Sequence, residues 1–279
     1  MTLEQLALRR RMMASGSGSK DMASLAPASG VTYINGLTGL TAEEVSAMSA
    51  LISNEPTITK DTTSSVYVDL GDLHRKFDIG NQVTLALNGT NYAFDIIGFN
   101  HDTLTTATAY GAATATGKAG MTLQMHDCFT TAYAMHSLST NSGGWKNTNM
   151  RNSVMPTMNG YVPSAWQSVI KLVNKISGKG GGSTSGTTTV SDNCFLLAEI
   201  EVTGSATVSV AGEGSQYAYY KAGNSKVKKC NGAARQWWLR SPRSGSSSHF
   251  VCIETDGSVP STKWGGNTNQ YGVAFAFCV

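Results

Sequence analysis

The chain has 279 residues, a formal net charge of +3 and only 14% charged residues, while hydrophobic residues reach 41% and allow a sizeable core. So small a net charge argues against nucleic-acid binding, and no run comes near the ~18 consecutive apolar residues of a membrane span. The surface must then consist largely of Gly, Ser, Thr and Asn, which is common in β-rich extracellular or virion proteins and in antibody-like contact loops.

Residues 1–60 are predicted to form a helical arm and linker that serve in attachment or oligomerisation. A short helix is expected from residue 3 to 13, because apolar residues recur at helical spacing at Leu3, Leu6, Ala7 and Met13. The run Arg9-Arg10-Arg11 on this helix favours contact with a partner protein over a disordered start. No apolar stretch follows these arginines, so we expect no secretory signal.

The remainder of this arm combines a flexible piece with a second helix. Residues 14–34 are rich in Ser, Gly and Ala, which is typical of a flexible linker or extended arm. Thr41 and Glu44 form a capping box that opens a helix running to about Ser53. Its apolar residues follow helical spacing, so we expect this helix to pack against the rest of the chain or against another subunit.

Residues 61–279 are predicted to form one β-rich α+β domain that contains two or more short helices. Asn88-Gly89 lies between two alternating runs, which is the strongest short-range signal for a β-hairpin. Strands are expected over residues 66–70, 83–87, 92–99, 121–125, 195–202, 237–239, 250–253 and 273–277.

Two helices are expected in the middle of this domain. The first covers residues 147–154. The second begins at a capping box formed by Ser164 and Gln167, and ends near Ile176. The tryptophans in and before these helices, Trp145 and Trp166, are interpreted as core residues rather than ligand platforms.

The titratable residues show no pattern of catalytic or metal-binding chemistry. His101-Asp102 and His126-Asp127 each place a His beside an Asp. Because neighbours on a strand point to opposite faces, polar strand ends are the favoured interpretation. Glu199 and Glu201 alternate on one face of an expected strand and are interpreted as solvated. We therefore predict no catalytic site, no metal site and no cofactor.

The five cysteines are interpreted as free, buried thiols. Their spacings are wide and contain no C-x-x-C pair, which excludes the common zinc patterns and the thioredoxin motif. An odd count without a signal peptide also argues against a disulfide framework. A basic run at Lys226, Lys228 and Lys229 is interpreted as a solvated strand or loop rather than a phosphate-binding patch.

The C-terminal segment is the most informative part of the chain. It begins with Trp237-Trp238-Leu239-Arg240-Ser241-Pro242 and ends with a Phe-rich block over residues 272–279. Both blocks are expected to be buried, with Arg240 bound to backbone carbonyls or a carboxylate. The polar and aromatic stretch between them is expected to be a contact surface, since binding surfaces combine rigid aromatics with adaptable hydrogen bonders. The candidate ligand-binding residues are Arg243, Ser244, Ser246, Ser247, Ser248, His249, Thr262, Trp264, Asn267, Thr268, Asn269 and Tyr271.

Several blocks between about residue 83 and residue 279 carry a family resemblance. They include the Trp-Trp-Leu-Arg-Ser-Pro block, Gly143-Gly144-Trp145, Phe195-Leu196-Leu197 and the closing aromatic-Cys segment. The region resembles a phage- and gut-bacterium-associated domain family and is similar to the variable proteins of diversity-generating retroelements. The resemblance implies a C-type-lectin-like fold in residues 61–279. It also implies a variable-type region over residues 240–279, whose codons are rewritten at adenines in such proteins.

On this resemblance the chain is expected to be a non-enzymatic ligand- or receptor-binding protein on a phage tail or cell surface. Its partners would be a protein or glycan receptor on a target cell, virion or tail proteins through the N-terminal arm, and a second copy of the chain. Its location would be the virion, or the host cytoplasm before assembly. The sequence lacks the E-P-N, Q-P-D and W-N-D triplets of calcium-dependent sugar binding, so such binding is not expected.

Two alternatives stay open. The neutral surface rich in Gly, Ser and Thr also fits a structural protein that decorates a virion or cell. Formylglycine-generating enzymes share a related fold and depend on cysteines, so Cys252 and Cys278 on adjacent strands would be the place to look for an oxidative enzyme of that type. The rest of that enzyme's active site is not matched.

Overall fold

The computed structural model of the chain describes residues 21–259, 261–266 and 270–279. This part of the chain is a mixed α+β structure in which strands predominate and the helices are short, as predicted from the sequence. Within the described ranges, no helix has the length and apolarity needed to cross a bilayer. The helix predicted over residues 3–13 and the start of the predicted linker lie outside the described residues.

The elements follow one another closely along the chain. The strands are β1 (Met22–Ser24), β2 (Ile34–Asn35), β3 (Val66–Leu70), β4 (Leu73–Phe77), β5 (Gln82–Leu87), β6 (Thr90–Phe99), β7 (Met121–Met125), β8 (Val173–Gly178), β9 (Thr187–Asp192), β10 (Cys194–Phe195), β11 (Lys228–Cys230), β12 (Ala233–Arg235), β13 (Trp237–Pro242), β14 (His249–Ile253), β15 (Ser261–Trp264) and β16 (Ala276–Cys278). The α-helices are α1 (Ala42–Ser53), α2 (Met155–Tyr161), α3 (Ser164–Gln167), α4 (Glu199–Thr203) and α5 (Ala218–Lys221). A 3₁₀ turn (Gly144–Asn147) and a π-helical segment (Met150–Val154) lead into α2.

The central sheet contains the last strand of the chain in its interior. Its antiparallel strands follow the order β10-β16-β7-β6-β5, so that Phe277 of β16 lies opposite Leu123 on one side and Cys194 on the other. The closing block has no charged residue and is fully buried, because its apolar side chains are more stable away from water. The prediction that the C-terminus is tied into the core as a strand is confirmed, although the strand covers only Ala276–Cys278.

A smaller antiparallel sheet is made of β13, β14 and β15. The Trp-Trp-Leu-Arg-Ser-Pro block forms β13 and is buried along its whole length. The strand continues to Pro242 and is thus longer than the predicted range 237–239. The pairing of β13 with β14 shifts in register between Trp238 and Pro242. Such an irregularity bends a strand and re-aims its side chains. The sheet therefore has a buried side made by β13 and most of β14, with β15 at its edge.

The predicted hairpin at Asn88-Gly89 is confirmed. Leu87 of β5 pairs with Thr90 of β6, which leaves a loop of two residues. Both loop residues have positive φ angles, 47° for Asn88 and 80° for Gly89. A tight two-residue turn of this kind requires positive φ at both positions, and Asn-Gly adopts it at little cost.

Helix α1 packs into the core of the described chain. Its start has the predicted capping box, in which the Thr41 hydroxyl accepts from the Glu44 N–H and the Glu44 carboxylate accepts from the Thr41 N–H. Val45, Met48 and Ile52 have no exposed surface and belong to the same apolar cluster as the central sheet. The attachment role expected of residues 1–60 stays a prediction.

The strand predicted over residues 195–202 is wrong beyond its start. Strand β10 ends at Phe195, and Glu199–Thr203 forms helix α4. The extended Ala198 donates its N–H to the Glu201 carboxylate at 2.9 Å, which satisfies a free backbone donor at the helix start. Gly204, with a φ of 81°, ends the helix in the left-handed conformation that glycine favours. The alternation of Glu199 and Glu201 with apolar residues is compatible with a strand as well as with a helix.

The helix predicted from Ser164 to residue 176 is wrong in its second half. Helix α3 ends at Gln167, and β8 follows, paired with β9 along its full length. Pro163 rather than Ser164 occupies the N-cap position, and the expected capping box is not formed. The N–H of Lys171 donates to the carbonyl of Cys278 at 2.8 Å. This bond to the C-terminal strand replaces the hydrogen bonding that a continued helix would need.

Because α1 belongs to the common core, Met48→Ala is expected to lower the free energy of unfolding by about 2–5 kcal/mol through the cavity it leaves. Chemical denaturation followed by tryptophan fluorescence and circular dichroism measures this change. Ser46→Ala, at a half-buried position of the same helix, is the matched control and should shift the free energy by less than about 0.5 kcal/mol. An unchanged denaturation midpoint for Met48→Ala would show that α1 is an arm that does not contribute to the stability of the core.

Candidate functional site

Most of the predicted contact residues that the structure describes lie on the small sheet and on the loop that joins β13 to β14, while Tyr271 follows β15 and pairs with Tyr133. Within the described part of the chain all of them are exposed or half-buried. We call this set the C-terminal face, and its members are Arg243, Ser244, Ser246, Ser247, Ser248, His249, Thr262, Trp264 and Tyr271. The other candidates, Asn267, Thr268 and Asn269, lie outside the described residues.

Trp264 is the most exposed aromatic residue of this face. It ends β15 with 56% of its surface in contact with solvent, whereas the other four tryptophans are at most 8% exposed. Its indole meets the His249 imidazole edge to face, with ring centroids 5.7 Å apart. Ser246 Oγ lies 2.9 Å and Ser248 Oγ 3.2 Å from His249 Nδ1, so hydroxyl groups orient the imidazole. Partial burial and the nearby Arg243 charge lower the pKa of His249, which favours its neutral form.

Tyr271 joins the face to the core. Its ring packs edge to face on the fully buried Trp238, with centroids 4.8 Å apart. Tyr271 and Tyr133 also form an antiparallel bridge, with each N–H donating to the other's carbonyl at 3.1 Å. The Trp238 indole N–H in turn donates to the Tyr133 carbonyl at 2.8 Å. Tyr271 is thus half-buried and held on both sides, and only part of its ring is available to a ligand.

Asn141 fixes the loop of the face through hydrogen bonds. Its side-chain amide donates to the carbonyls of Ser246 at 2.9 Å and His249 at 2.8 Å, and its backbone N–H donates to Ser247. Its amide oxygen accepts from the Gly181 N–H at 2.7 Å. Gly180 passes so close that a Cβ there would lie 1.8 Å from the Asn141 carbonyl oxygen. Sequence reasoning missed Asn141, because no local pattern marks a residue whose partners are about 40 and 105 positions away.

Leu138 is a second exposed apolar residue beside the face. It is 64% exposed. The segment that carries it runs along residues 264–266, since the His136 N–H donates to the Gly265 carbonyl at 2.8 Å. A Cβ on Gly266 would lie 2.6 Å from the Ser139 hydroxyl, which shows how closely the two segments approach. No sequence pattern marks Leu138, and its position beside the face follows only from this contact.

Arg240 lies directly beneath the face with no exposed surface. Its guanidinium makes a bidentate pair with the Glu201 carboxylate, at 2.6 and 2.7 Å. Its remaining N–H groups donate to the carbonyls of Ile176, Leu196 and Glu213 at 2.8–3.0 Å. All five donors of the guanidinium are therefore used. The prediction that Arg240 holds backbone carbonyls or a carboxylate is confirmed on both counts.

A second buried ion pair extends this cluster. Lys175 Nζ donates to Asp102 Oδ1 at 2.6 Å and to Glu201 Oε1 at 2.9 Å, and all three side chains are 2% exposed. The Tyr217 hydroxyl donates to the Asp102 carboxylate. Burial alone would raise the pKa of Asp102, but the charge and hydrogen bond of Lys175, together with those of His101, outweigh it and hold this pKa well below its usual range. Together with Arg240, residues from five separate parts of the chain are thus joined in one polar cluster.

Two further glutamates are buried beside this cluster. The Glu199 carboxylate accepts from the backbone N–H groups of Thr207, Val208 and Ser209 at 2.8–3.2 Å. Glu213 accepts from the Gly178 N–H at 2.6 Å and from the Ser241 hydroxyl. Burial raises the pKa of Glu213 to about 7, against the opposite effect of these hydrogen bonds. The interpretation of Glu199 and Glu201 as a solvated strand face is therefore wrong, because both are buried and hydrogen bonded.

The two His-Asp neighbours behave differently. His126 pairs with Asp95 at 2.8 Å rather than with Asp127, and this hydrogen bond raises the pKa of His126. His101 Nδ1 lies 3.6 Å from its neighbour Asp102, since the positive φ of Asn100 (45°) turns the chain and both side chains face inward. The expectation that neighbours diverge as polar strand ends fails for this second pair.

Lys228 and the cysteines complete the list of sequence candidates. Lys228 is buried and donates to the carbonyls of Met125 and His126, so its interpretation as solvated is wrong.

All five cysteines are free and buried, as predicted, and burial raises the pKa of Cys252 and Cys278 well above the usual range. These two lie in different sheets, on β14 and β16, rather than on adjacent strands. Among the described residues, no group of three or more His, Cys, Asp or Glu is placed to hold a metal ion.

Comparison with known proteins gives one match. A family model described as a domain of unknown function (DUF6273) matches residues 119–279, which is more than half of the chain. No curated protein and no solved structure matches. The matched range includes the C-terminal face and, of the buried cluster, Lys175, Glu201, Tyr217 and Arg240, and it begins after Asp102.

Glu213 is expected to make stability depend on pH. The native state keeps its proton up to a pKa of about 7, whereas the unfolded state releases it near the ordinary value of 4.5. The contribution of Glu213 to the free energy of unfolding should therefore be largest below pH 4.5 and fall as the pH rises from 4.5 through 7, by about 3 kcal/mol.

Glu213→Gln tests this by keeping the side chain neutral throughout. Urea unfolding at a series of pH values should show the decline in the wild type and not in the variant. Asp256→Asn, at an exposed carboxylate, is the control and should keep the decline. A constant difference between wild type and Glu213→Gln over this range would contradict the prediction.

Trp264 is expected to supply most of the fluorescence that acrylamide quenches in the native protein, because the other tryptophans are buried. Trp264→Phe should remove most of the quenchable fraction. Trp166→Phe, which removes a tryptophan that is 8% exposed, should leave that fraction in place. Equal quenching in wild type and Trp264→Phe would show that this side chain is covered in solution.

Proposed function

The chain belongs to the DUF6273 family, and on that premise we propose that it is a non-enzymatic binding protein that holds a ligand or receptor on its C-terminal face. The observation that carries the proposal is the exposure of Trp264, at 56%, on a strand paired with the buried β14. Leaving an indole in water is unfavourable, and large aromatic residues dominate the energy of contact surfaces. An exposed Trp at a fixed position is therefore a natural anchor for a partner.

Rigidity of the surroundings supports the same proposal. The loop 243–248 is fixed by Asn141, the imidazole of His249 is fixed by two hydroxyls, and Tyr271 is fixed by Trp238. A surface that is already ordered loses little conformational entropy when a partner binds. The hydroxyls of Ser246, Ser247, Ser248 and Thr262 provide hydrogen bonds around the aromatic anchor.

The finer part of the proposal is a C-type-lectin-like domain over residues 61–279 that is related to the variable proteins of diversity-generating retroelements. In support, the exposed residues of the face lie between two buried blocks, β13 and residues 272–279, and flank the buried part of β14, so the exposed side chains can differ without disturbing the core. Ser, Thr, His and Tyr residues of the face are among those reached when adenines of Asn codons are rewritten. Lys263 and Trp264 are not, and Lys263 pairs with Glu254 at 3.1 Å as a fixed residue would.

In this proposal the receptor is a protein or glycan on the surface of a target cell. Residues 1–60 attach the chain to a virion or phage tail, or to a second copy of itself. The chain then works on the virion or on a cell surface, and lies in the host cytoplasm before assembly. The absence of charged side chains other than Arg243 among the residues of the face favours a partner recognised by aromatic contact and hydroxyl hydrogen bonds rather than by net charge.

Trp264→Ala is expected to weaken binding about tenfold or more, because truncation of a central aromatic contact costs about 2 kcal/mol. The full chain, fluorescently labelled, is titrated onto an array of bacterial surface glycans and onto a panel of intact bacterial cells. Ile34→Ala is the matched control, since Ile34 is 61% exposed but lies on β2 in another sheet. Undiminished binding by Trp264→Ala, or an equal loss in Ile34→Ala, would contradict the proposal.

The relationship to retroelements has a separate test in the genome that encodes the chain. A near-copy of the codons for residues 240–279, differing only at adenines and lying beside a reverse-transcriptase gene, is expected. Its absence would leave a binding protein whose face does not vary.

A further inference from the structure

A nucleophile, an electrophile and a proton carrier meet in the buried cluster, which the binding function does not use. Lys175 Nζ lies 2.6 Å from Asp102 Oδ1 and 2.9 Å from Glu201 Oε1, with all three side chains 2% exposed. We propose that Lys175 and Asp102 react with each other to form an intramolecular amide, an isopeptide bond, with Glu201 carrying the proton. The product would join β8 covalently to the segment that follows β6.

The two oxygens of Asp102 have different surroundings. Oδ2 accepts from the Thr122 hydroxyl at 2.6 Å and from the Tyr217 hydroxyl at 2.8 Å. Donors in these positions stabilise the negative charge that develops on a carbonyl oxygen when its carbon is attacked. Oδ1 accepts from Lys175 Nζ at 2.6 Å, and the same Nζ lies 2.9 Å from Oε1 of Glu201. Oδ2 is therefore suited to become the amide oxygen, and Oδ1 to leave as water.

The reaction requires the neutral amine and the neutral acid, which form from the ion pair when one proton crosses the 2.6 Å contact between Lys175 Nζ and Asp102 Oδ1. Transfer of one proton from Lys175 to Asp102 Oδ1 removes two charges from a site that is closed to water, where charges are costly. The centroid of the Phe195 ring lies 4.1 Å from Lys175 Nζ, so this ring covers one side of the amine. Arg240 balances the Glu201 charge through its bidentate pair. The proton transfer is internal, so the total charge of the cluster does not change.

The bond-forming step balances without any further reagent. The Lys175 amine attacks Asp102 Cγ and forms the carbon–nitrogen bond. Glu201 accepts a proton from the nitrogen and delivers it to Oδ1, the Cγ–Oδ1 bond breaks, and water leaves. An ammonium and a carboxylate thus become an amide and one water, with Glu201 returned to its starting form. The fixed contact of the reacting groups replaces an encounter in solution and so lowers the barrier to the reaction.

The cross-link would hold the scaffold of the C-terminal face. It closes a loop between two residues 73 positions apart. A covalent link of this kind restricts the unfolded chain and so stabilises the native one. It also fixes β8, whose last residues contact Arg240 and the segment around Glu213.

Intact mass spectrometry of the denatured full chain decides the proposal. The expected mass is lower than the sequence mass by one water, and a tryptic digest should contain one branched peptide that joins Lys175 to Asp102. A mass equal to that of the sequence, or a linear peptide with an unmodified Lys175, would overturn the proposal. This measurement uses the wild-type protein and does not depend on the folding of any variant.

Two controls exclude another source of water loss. Asp256-Gly257 is a sequence that can lose water by forming a succinimide. Mild alkali reopens a succinimide and leaves an isopeptide bond intact, and Asp256→Ser should keep the full mass deficit. A deficit that disappears with either treatment would overturn the proposal.

Variants of the cluster then test the chemistry. Asp102→Asn should lose ammonia instead of water and so reach the same mass as the cross-linked wild type. Lys175→Arg keeps the positive charge, lacks the primary amine, and should have its full sequence mass. A mass deficit that persists in Lys175→Arg would overturn the assignment.

Discussion

Arg240 is a fully buried cation whose five N–H groups all meet an acceptor, and its bidentate pair with Glu201 is the constraint on which the rest of the structure depends. A buried charge without a partner is strongly destabilising, so each acceptor must be in place for the fold to exist. These acceptors come from β8, from the end of β10, from α4 and from the segment around Glu213. One side chain on β13 thereby fixes the relative positions of four distant parts of the chain.

The geometry of the C-terminal face depends on this arrangement around Arg240. Arg240 and Ser241 are the last buried polar residues of β13, and the loop of the face begins at Arg243. Asn141 and the glycines at 180 and 181 then fix the far side of that loop. The face is therefore a rigid platform, and the adaptable part is limited to the exposed side chains themselves. A binding surface whose residues can be replaced requires such a rigid backbone beneath exposed side chains, and this arrangement supports the proposed function.

The low surface charge of the protein has a related explanation. Of its 18 acidic residues, the following are buried within the described chain: Asp69, Asp95, Asp102, Asp192, Glu199, Glu201 and Glu213. Each accepts hydrogen bonds from a basic side chain, a hydroxyl or backbone N–H groups, for example Asp192 from the Arg151 guanidinium at 2.7 Å. Carboxylates, which usually lie on a protein surface, here accept hydrogen bonds in the interior. Gly, Ser, Thr and Asn therefore make up much of the exterior.

Features that depend on neighbouring residues could be predicted from the sequence alone. The Asn-Gly hairpin, the capping box of α1, and the burial of β13 and of the closing block all follow from short contiguous patterns. The candidate residues of the face were found in the same way, as a polar stretch between two apolar blocks. Long-range contacts, by contrast, make Glu199–Thr203 helical, bind Asn141 to the loop of the face and bring Asp102 to Lys175. The partners in these contacts lie tens of residues apart, and their energy exists only once the chain has folded, so no local pattern records them.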